Sequence, residues 1–171
     1  MEIKKASFDD IALIREIGTI TYWATYPAIL GDEQVQYMLD KFYSPDALAR
    51  QMEEGHAFWI GFAGGVPAAF TSFSQTYGAE PIWHLQKLYI LPEMQGRGIG
   101  GKLLEMVADR CREAGAWRLQ LNVNRYNKAK KFYEKLGFRV VREEDIPIGR
   151  GYFMNDFVME RDLKETVNNS R

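Results

Sequence analysis

Gln95-Gly-Arg-Gly-Ile-Gly-Gly101 is the stretch whose residue types and spacing speak most directly of chemistry. It follows the apolar run Leu85-Gln-Lys-Leu-Tyr-Ile-Leu91 and opens a helix-like run beginning Lys102-Leu-Leu-Glu. A glycine-dense turn between a strand and a helix exposes backbone N–H groups at the positive end of the helix dipole, which is a phosphate site. The expected ligand is therefore phosphorylated, and the surrounding residues must decide which one.

Three phosphate-binding patterns overlap here. Gly96-Arg-Gly98-Ile-Gly-Gly101 has the spacing of a dinucleotide fingerprint, which needs an acid about 20 positions on to hold the ribose. Gln120, Asn122 and Asn124 stand there instead. Gly96 with Gly101-Lys102 has the spacing of a P-loop, but Leu103 replaces the hydroxyl that reaches magnesium. The third pattern begins one residue earlier, Gln95-x-x-Gly98-x-Gly100. It is accompanied by Leu88-Tyr-Ile-Leu-Pro-Glu upstream and Phe132-Tyr-Glu-Lys-Leu-Gly-Phe138 downstream.

The elements that must position these residues can be read from periodicity. A short strand, Ile3 to Ala6, precedes a capping-box-like Ser7-Phe-Asp-Asp10 and a helix carrying Ile11, Ile14 and Ile17. Pro27 stops that helix, Asp32 to Phe42 is a second, and Pro45 to Glu54 is a third, capped by Ser44 and ended by Gly55. Ala57 to Ala63 and Val66 to Gln75 form a hairpin about Gly64-Gly65, followed by a strand from Ile82 to Leu91. After the glycine turn a helix runs to Gly115, Trp117 to Val123 is a strand, and a helix from Asn127 ends at Gly137. Two strands, Phe138 to Arg142 and Tyr152 to Glu160, complete the chain. The expected class is mixed α/β (α+β), one domain over residues 1–163 and a polar tail over 164–171.

The third pattern, its two flanking motifs and this element order resemble the GNAT superfamily of acyl-CoA-dependent N-acetyltransferases. The resemblance implies a central mixed sheet of six to seven strands, splayed at the strand before the glycine loop, with helices on both faces. It implies acetyl-CoA as cosubstrate and no metal. Gln95, Gly96, Gly98, Ile99, Gly100 and Gly101 would hold the diphosphate, and four glycines between 96 and 101 would admit it closely. Arg97 would either add a charge-assisted contact or stand as an exposed arginine. Leu88, Tyr89 and Ile90 would pair their backbone with the pantetheine arm, the N–H of Leu88 facing the thioester carbonyl as an oxyanion donor.

The same resemblance puts Tyr133 at the general-acid position, protonating or hydrogen-bonding the departing thiolate. A thiol of pKa ~8.5 against ~10 for tyrosine makes a hydrogen bond the better description. The attacking amine must shed a proton of pKa ~10.4, a cost of nearly ~5 kcal/mol at neutral pH. The offset from Gln95 sets His84 at a base position, with Gln86 two residues on and facing the same side. In one departure, Tyr126 occupies the position of an asparagine that commonly contacts pantetheine, and the neighbouring Asn127 is the candidate substitute. Tyr22, Trp23, Tyr26, Tyr152 and Phe153, with Asp32, Glu33 and Asp156, would wall the acceptor site and suit a cationic amine. That arrangement is diffusely similar to bacterial spermidine acetyltransferases.

Composition narrows the classes. The net charge of −1 offers no field for nucleic acid or anionic membrane, and one cysteine excludes an internal disulfide. The start lacks the apolar stretch of a signal peptide, and no run approaches the ~20 residues that span a bilayer. These features predict a soluble cytoplasmic protein, a monomer or homodimer, acting on a small-molecule amine without nucleic acid or membrane. Two other readings stand beside it: acetylation of a protein α-amine or lysine, and a non-catalytic acyl-CoA sensor.

Overall fold

Ser7 begins the helical part of the chain by a reciprocal cap: its Oγ accepts from Asp9 N, and Asp10 Oδ2 accepts from Ser7 N at 2.9 Å. The computed structural model describes residues 1–76 and 78–164. Its elements are β1 (Glu2–Lys5), α1 (Ile11–Thr25), α2 (Pro27–Leu30), α3 (Asp32–Tyr43), α4 (Pro45–Glu53), β2 (Ala57–Ala63), β3 (Val66–Gln75), β4 (Ile82–Ile90), α5 (Ile99–Glu113), β5 (Arg118–Asn124), α6 (Ala129–Lys135), β6 (Arg139–Gly149) and β7 (Tyr152–Asp162). Apart from Lys164, the expected polar tail lies outside the described residues.

Seven strands form one sheet in the order β1-β2-β3-β4-β5-β7-β6, in agreement with the expected mixed sheet. Every neighbouring pair is antiparallel except β4 and β5. α1, α3 and α4 pack a core of Ile14, Ile17, Val35, Tyr43 and Leu48 against Phe58, Ile60 and Phe70 on one face. On the other, α5 and α6 contribute Leu104, Val107 and Tyr133 to a core with Phe73, Leu85, Leu119 and Leu121. Covering an amphipathic sheet from both sides is what removes its apolar side chains from water.

The parallel pair is short. β4 meets β5 only from Ile82 opposite Arg118 to Leu85 opposite Leu121, although both strands continue. On its other edge, β4 carries a bulge: Ser72 pairs with Lys87 and Phe73 with Leu85, leaving Gln86 as the extra residue. A bulge bends a strand and reverses the facing of the residues beyond it. Leu85 therefore packs with the α5/α6 core, whereas Lys87 lies over the rings of Tyr43 and Phe58 on the opposite side. The strands part at the same residue, and the gap between them becomes a cleft.

Two elements differ from the sequence expectation. Pro27 ends α1 at Thr25 as expected, but it also opens a further short helix, α2, in whose first turn its missing N–H costs nothing. β6 runs to Gly149 rather than stopping at Arg142, because an edge strand exposed along most of its length can carry Arg142-Glu-Glu-Asp145 without apolar alternation. Register shifts at Val140/Arg142 and Pro147/Gly149 accommodate the extra residue and the proline.

Candidate active site

The cleft between the splayed strands has a volume of about 920 Å³. One wall is the glycine loop and the start of α5. Gly96 and Gly98 adopt φ of +79° and +78°, the left-handed region that glycine enters without strain. Gly98 is the N-cap of α5, and the first loop-to-helix bond runs from Lys102 N to Gly98 O. The N–H groups of Ile99, Gly100 and Gly101 thus head the helix with no intrahelical partner, and all three residues line the cleft. Gly100 is required by packing, since a Cβ there would lie 2.8 Å from Ile90 Cδ1 and 3.0 Å from Phe132 Cζ. Gly101 has no positive φ and nothing within 4 Å of a Cβ position. Its missing side chain keeps space open at the helix start, which fits a diphosphate.

The second wall is β4 after its bulge. Leu88, Tyr89 and Ile90 line the cleft and have no partner on β5, so the backbone groups on that edge are not used by the sheet. Gln95 also lines it, its Nε2 donating to Ile90 O at 3.3 Å and tying the loop back to the strand. The third wall comes from β5, the turn after it and α6, through Asn122, Asn127, Phe132 and Tyr133.

Tyr133 is 8% exposed, held edge-on between Phe132 and Phe138, and its hydroxyl has no hydrogen-bond partner among the described residues. Burial raises its pKa, with Tyr26 adding to the rise, so the phenol keeps its proton across the neutral range. Asn127 is fully engaged: its Oδ1 accepts from Ala129 N at 2.9 Å and its Nδ2 donates to Tyr26 Oη at 3.1 Å. Tyr126 reaches the cleft as well, although it is largely exposed.

Not every residue expected at the site lines this cleft. Arg97 is exposed and unattached to it. Trp23 is exposed on the outer side of α1, and Asp32 and Glu33 are exposed at the start of α3. Tyr22 is buried one ring behind the wall, its centroid 4.9 Å from Tyr26 and 5.6 Å from Tyr89. Tyr152 packs at a tilt against Tyr37 of α3, the ring centroids 5.2 Å apart. There Tyr37 Oη and Lys41 Nζ both donate to Ile148 O, and Gln34 Nε2 donates to Phe153 O. These bonds clamp the tip of the β6–β7 hairpin onto α3.

His84 lies one residue before the last β4–β5 pair, below the point where the strands part. Desolvation lowers its pKa, while hydrogen bonding to Gln120 and the nearby Glu144 oppose the fall. Gln86, which does line the cleft, donates from Nε2 to Ser74 Oγ at 2.7 Å. Asp156 and Glu160 on β7 are 6% and 8% exposed, yet their partners are amides: Asn122 Nδ2 at 3.2 Å and Gln120 Nε2 at 2.9 Å. Among the described residues neither carboxylate has a side-chain cation within ion-pair distance. Desolvation raises the pKa of Asp156, with Asn122 working the other way.

Sequence reasoning missed Asn122, Phe132 and Glu160. From sequence, Asn122 and Gln120 register only as failed ribose ligands, although polar residues alternating with Leu119, Leu121 and Val123 mark a polar face. Phe132 belongs to the downstream motif but acts through packing against Gly100, which no spacing reveals. The one cysteine, Cys111, is buried in the α5 core and its thiol is pushed up to about 12, which removes it as a nucleophile.

Known proteins share this architecture. Residues 28–149 match the acetyltransferase (GNAT) domain family. A spermidine N(1)-acetyltransferase of Thermoplasma acidophilum is 25% identical over 167 residues, covering 94% of this chain and 96% of that protein. The uncharacterized N-acetyltransferase YjgM of Escherichia coli is 35% identical over 88 residues, 50% of this chain and 53% of that protein. Among solved structures, the PaiA N-acetyltransferase of Thermoplasma acidophilum in complex with coenzyme A superposes with a TM-score of 0.78 at 26% identity, covering 94% of this chain and 98% of that one. No helix among the described residues is long and apolar enough to cross a membrane.

Proposed function

This chain belongs to the acetyltransferase (GNAT) domain family, and we propose that it moves an acetyl group from acetyl-CoA to the primary amine of a small, cationic, polyamine-like molecule. The observation that carries the cosubstrate is the cleft itself. A glycine helix start with three unpaired N–H groups stands at one end, and an unpaired strand edge leads away from it. Coenzyme A has the matching parts, a diphosphate and an amide-bearing arm. When bound, it supplies the activated acyl group.

The residues of this chain then divide the work. The N–H groups of Ile99 to Gly101 hold the diphosphate, and the free edge of Leu88 to Ile90 aligns the arm. The N–H of Leu88 stabilises negative charge on the carbonyl oxygen as the amine attacks. His84, with its depressed pKa, is neutral at pH 7 and takes the amine's proton through an intervening water. Tyr133, still protonated, offers its hydroxyl to the departing sulfur.

A cationic acceptor is favoured by Asp156 and Glu160, two buried carboxylates with amide partners only. Leaving a buried carboxylate without a cation is costly, and an ammonium group would offset that cost. The β6–β7 tip is fastened to α3 through Ile148 O, and if it borders the acceptor side a fixed tip would suit a small molecule better than a peptide chain. The similarity to a spermidine acetyltransferase over nearly the whole chain supports the same reading.

The test mixes the protein and acetyl-CoA with polyamines, amino acids and peptides while recording free thiol. Polyamines should give the fastest release. No thiol release with any acceptor, despite measurable CoA binding, would leave a sensor rather than an enzyme, and a preference for peptides would remove the small-molecule reading.

A further inference from the structure

Three polar side chains lie in one row across three neighbouring strands just below the splay. His84 of β4 is opposite Gln120 of β5, and Gln120 is opposite Glu160 of β7. Directly opposed residues of adjacent strands share a face of the sheet, so the three side chains are neighbours in order. Gln120 Nε2 donates to Glu160 Oε1 at 2.9 Å, and Glu160 is 8% exposed.

The chemistry of this row sets its direction. A carboxylate takes hydrogen bonds, so it requires the NH₂ end of the Gln120 amide. That turns the carbonyl end, Gln120 Oε1, toward His84. A carbonyl oxygen only accepts, so the ring nitrogen it meets must carry a hydrogen. In a neutral imidazole the other nitrogen then bears the lone pair.

We infer that Gln120 and Glu160 are positioning residues that hold His84 in a single neutral tautomer, its far ring nitrogen free to accept a proton. The reversed amide would set two acceptor oxygens against each other at Glu160, whereas His84 could meet either end of the amide by changing tautomer, so it is Glu160 that fixes the direction. The other side chains around the ring do not compete for the row. Ser74, opposite His84 on β3, is engaged by Gln86 Nε2. Glu144 and Arg142 from β6 and His56 from the turn before β2 act on the ring at longer range and with opposing signs.

The role rests on reading His84 as the group that accepts the amine proton, but the tautomer can be measured without any turnover. The experiment records long-range ¹⁵N–¹H correlations of the histidine rings in the full chain, which has two histidines, with His84→Gln to assign them. The wild-type protein should show one neutral tautomer for His84. Gln120→Met and Glu160→Met should each yield a mixture and lower the titration midpoint of His84 by about half to one pH unit, the scale of one hydrogen bond. Gln120→Glu should raise it. Where a Met variant fails to fold, Glu160→Gln keeps the size and frees the Gln120 amide to turn over, and carries the same expectation.

Tautomer populations and midpoints unchanged in these variants would overturn the inference. The acidic limb of the pH–rate profile, measured on the same proteins, should move with the midpoint. A midpoint that moves while the limb stays would uphold the orientation of His84 and remove it as the base.

Discussion

Asn127 Nδ2 donates to Tyr26 Oη at 3.1 Å, joining residues 101 positions apart across the mouth of a gap that no backbone hydrogen bond closes. Tyr26 packs at a tilt against Tyr22, and Tyr22 against Tyr89 of β4, so side chains span from β4 to the turn after β5 where the strands themselves have parted. The sheet is held together there by rings and one amide.

Removing either end of that bond should therefore widen the cleft mouth. Tyr26→Phe is expected to cost about 1 kcal/mol of stability and to raise KM for acetyl-CoA several-fold. Asn127→Ala should cost more, because Asn127 Oδ1 also accepts from Ala129 N at the start of α6. The double variant should fall short of the sum, since both remove one bond. Denaturant melts with steady-state kinetics on the four proteins check this; full additivity would show that the bond carries no coupling.

The two adjacent glycines of α5 should respond in opposite ways to alanine. Gly100→Ala collides with Ile90 and Phe132 and should destabilise by about 1–3 kcal/mol. Gly101→Ala meets nothing and gains helix propensity, so stability should hold or rise by up to about 1 kcal/mol. Its methyl group would instead fill space at the cleft and weaken CoA binding tenfold or more. Calorimetric CoA affinity beside thermal melts separates the two, and wild-type affinity in Gly101→Ala would mean the diphosphate sits elsewhere.

Tyr133→Phe should lower kcat by about 10²-fold, the scale of acid–base contributions, with little change in CoA affinity. The hydroxyl makes no protein hydrogen bond among the described residues, so the fold should lose little with it. A kcat like that of the wild type would take Tyr133 out of the mechanism.

Lys87 predicts a pH dependence of stability. The residue is 8% exposed, its Nζ donates to Gln51 Oε1 at 2.6 Å and lies over Tyr43 and Phe58, and desolvation lowers its pKa to about 7. The unfolded chain holds that proton to a pKa of ~10.4. Between these values the unfolded state binds more protons, so stability rises with pH, by at most ~1.4 kcal/mol per unit from this group. Below about 7 both states are protonated and the penalty is constant. Lys87→Met should therefore be most favourable relative to wild type near pH 7, with the difference narrowing toward pH 10. A difference that stays level over that range would show that Lys87 titrates normally.

The glycine loop is legible in the sequence because its constraints are local. Positive φ at Gly96 and Gly98 and a helix opening without a side chain at Gly101 are demands of adjacent residues, and composition records them directly. The same holds for the strand-turn-helix order, which hydrophobic period reveals. The second half of β6 is not legible in this way, because its residues face water on an edge, where no apolar alternation is needed.

Residue types and spacing pointed to a phosphorylated ligand through a glycine turn between a strand and a helix, and with the tyrosine motif on a later helix they carried the resemblance to the family that the comparisons then showed. Only the tertiary structure decided which side chains meet. The bulge at Gln86 reverses the facing of β4 and coincides with the end of its pairing to β5, so it opens the cleft and turns Lys87 to the face opposite Leu85. Pairing across three strands brings His84, Gln120 and Glu160 into one row. Such relations depend on register, a non-local quantity set by how whole faces pack, and a chain read one residue after another carries no local sign of it.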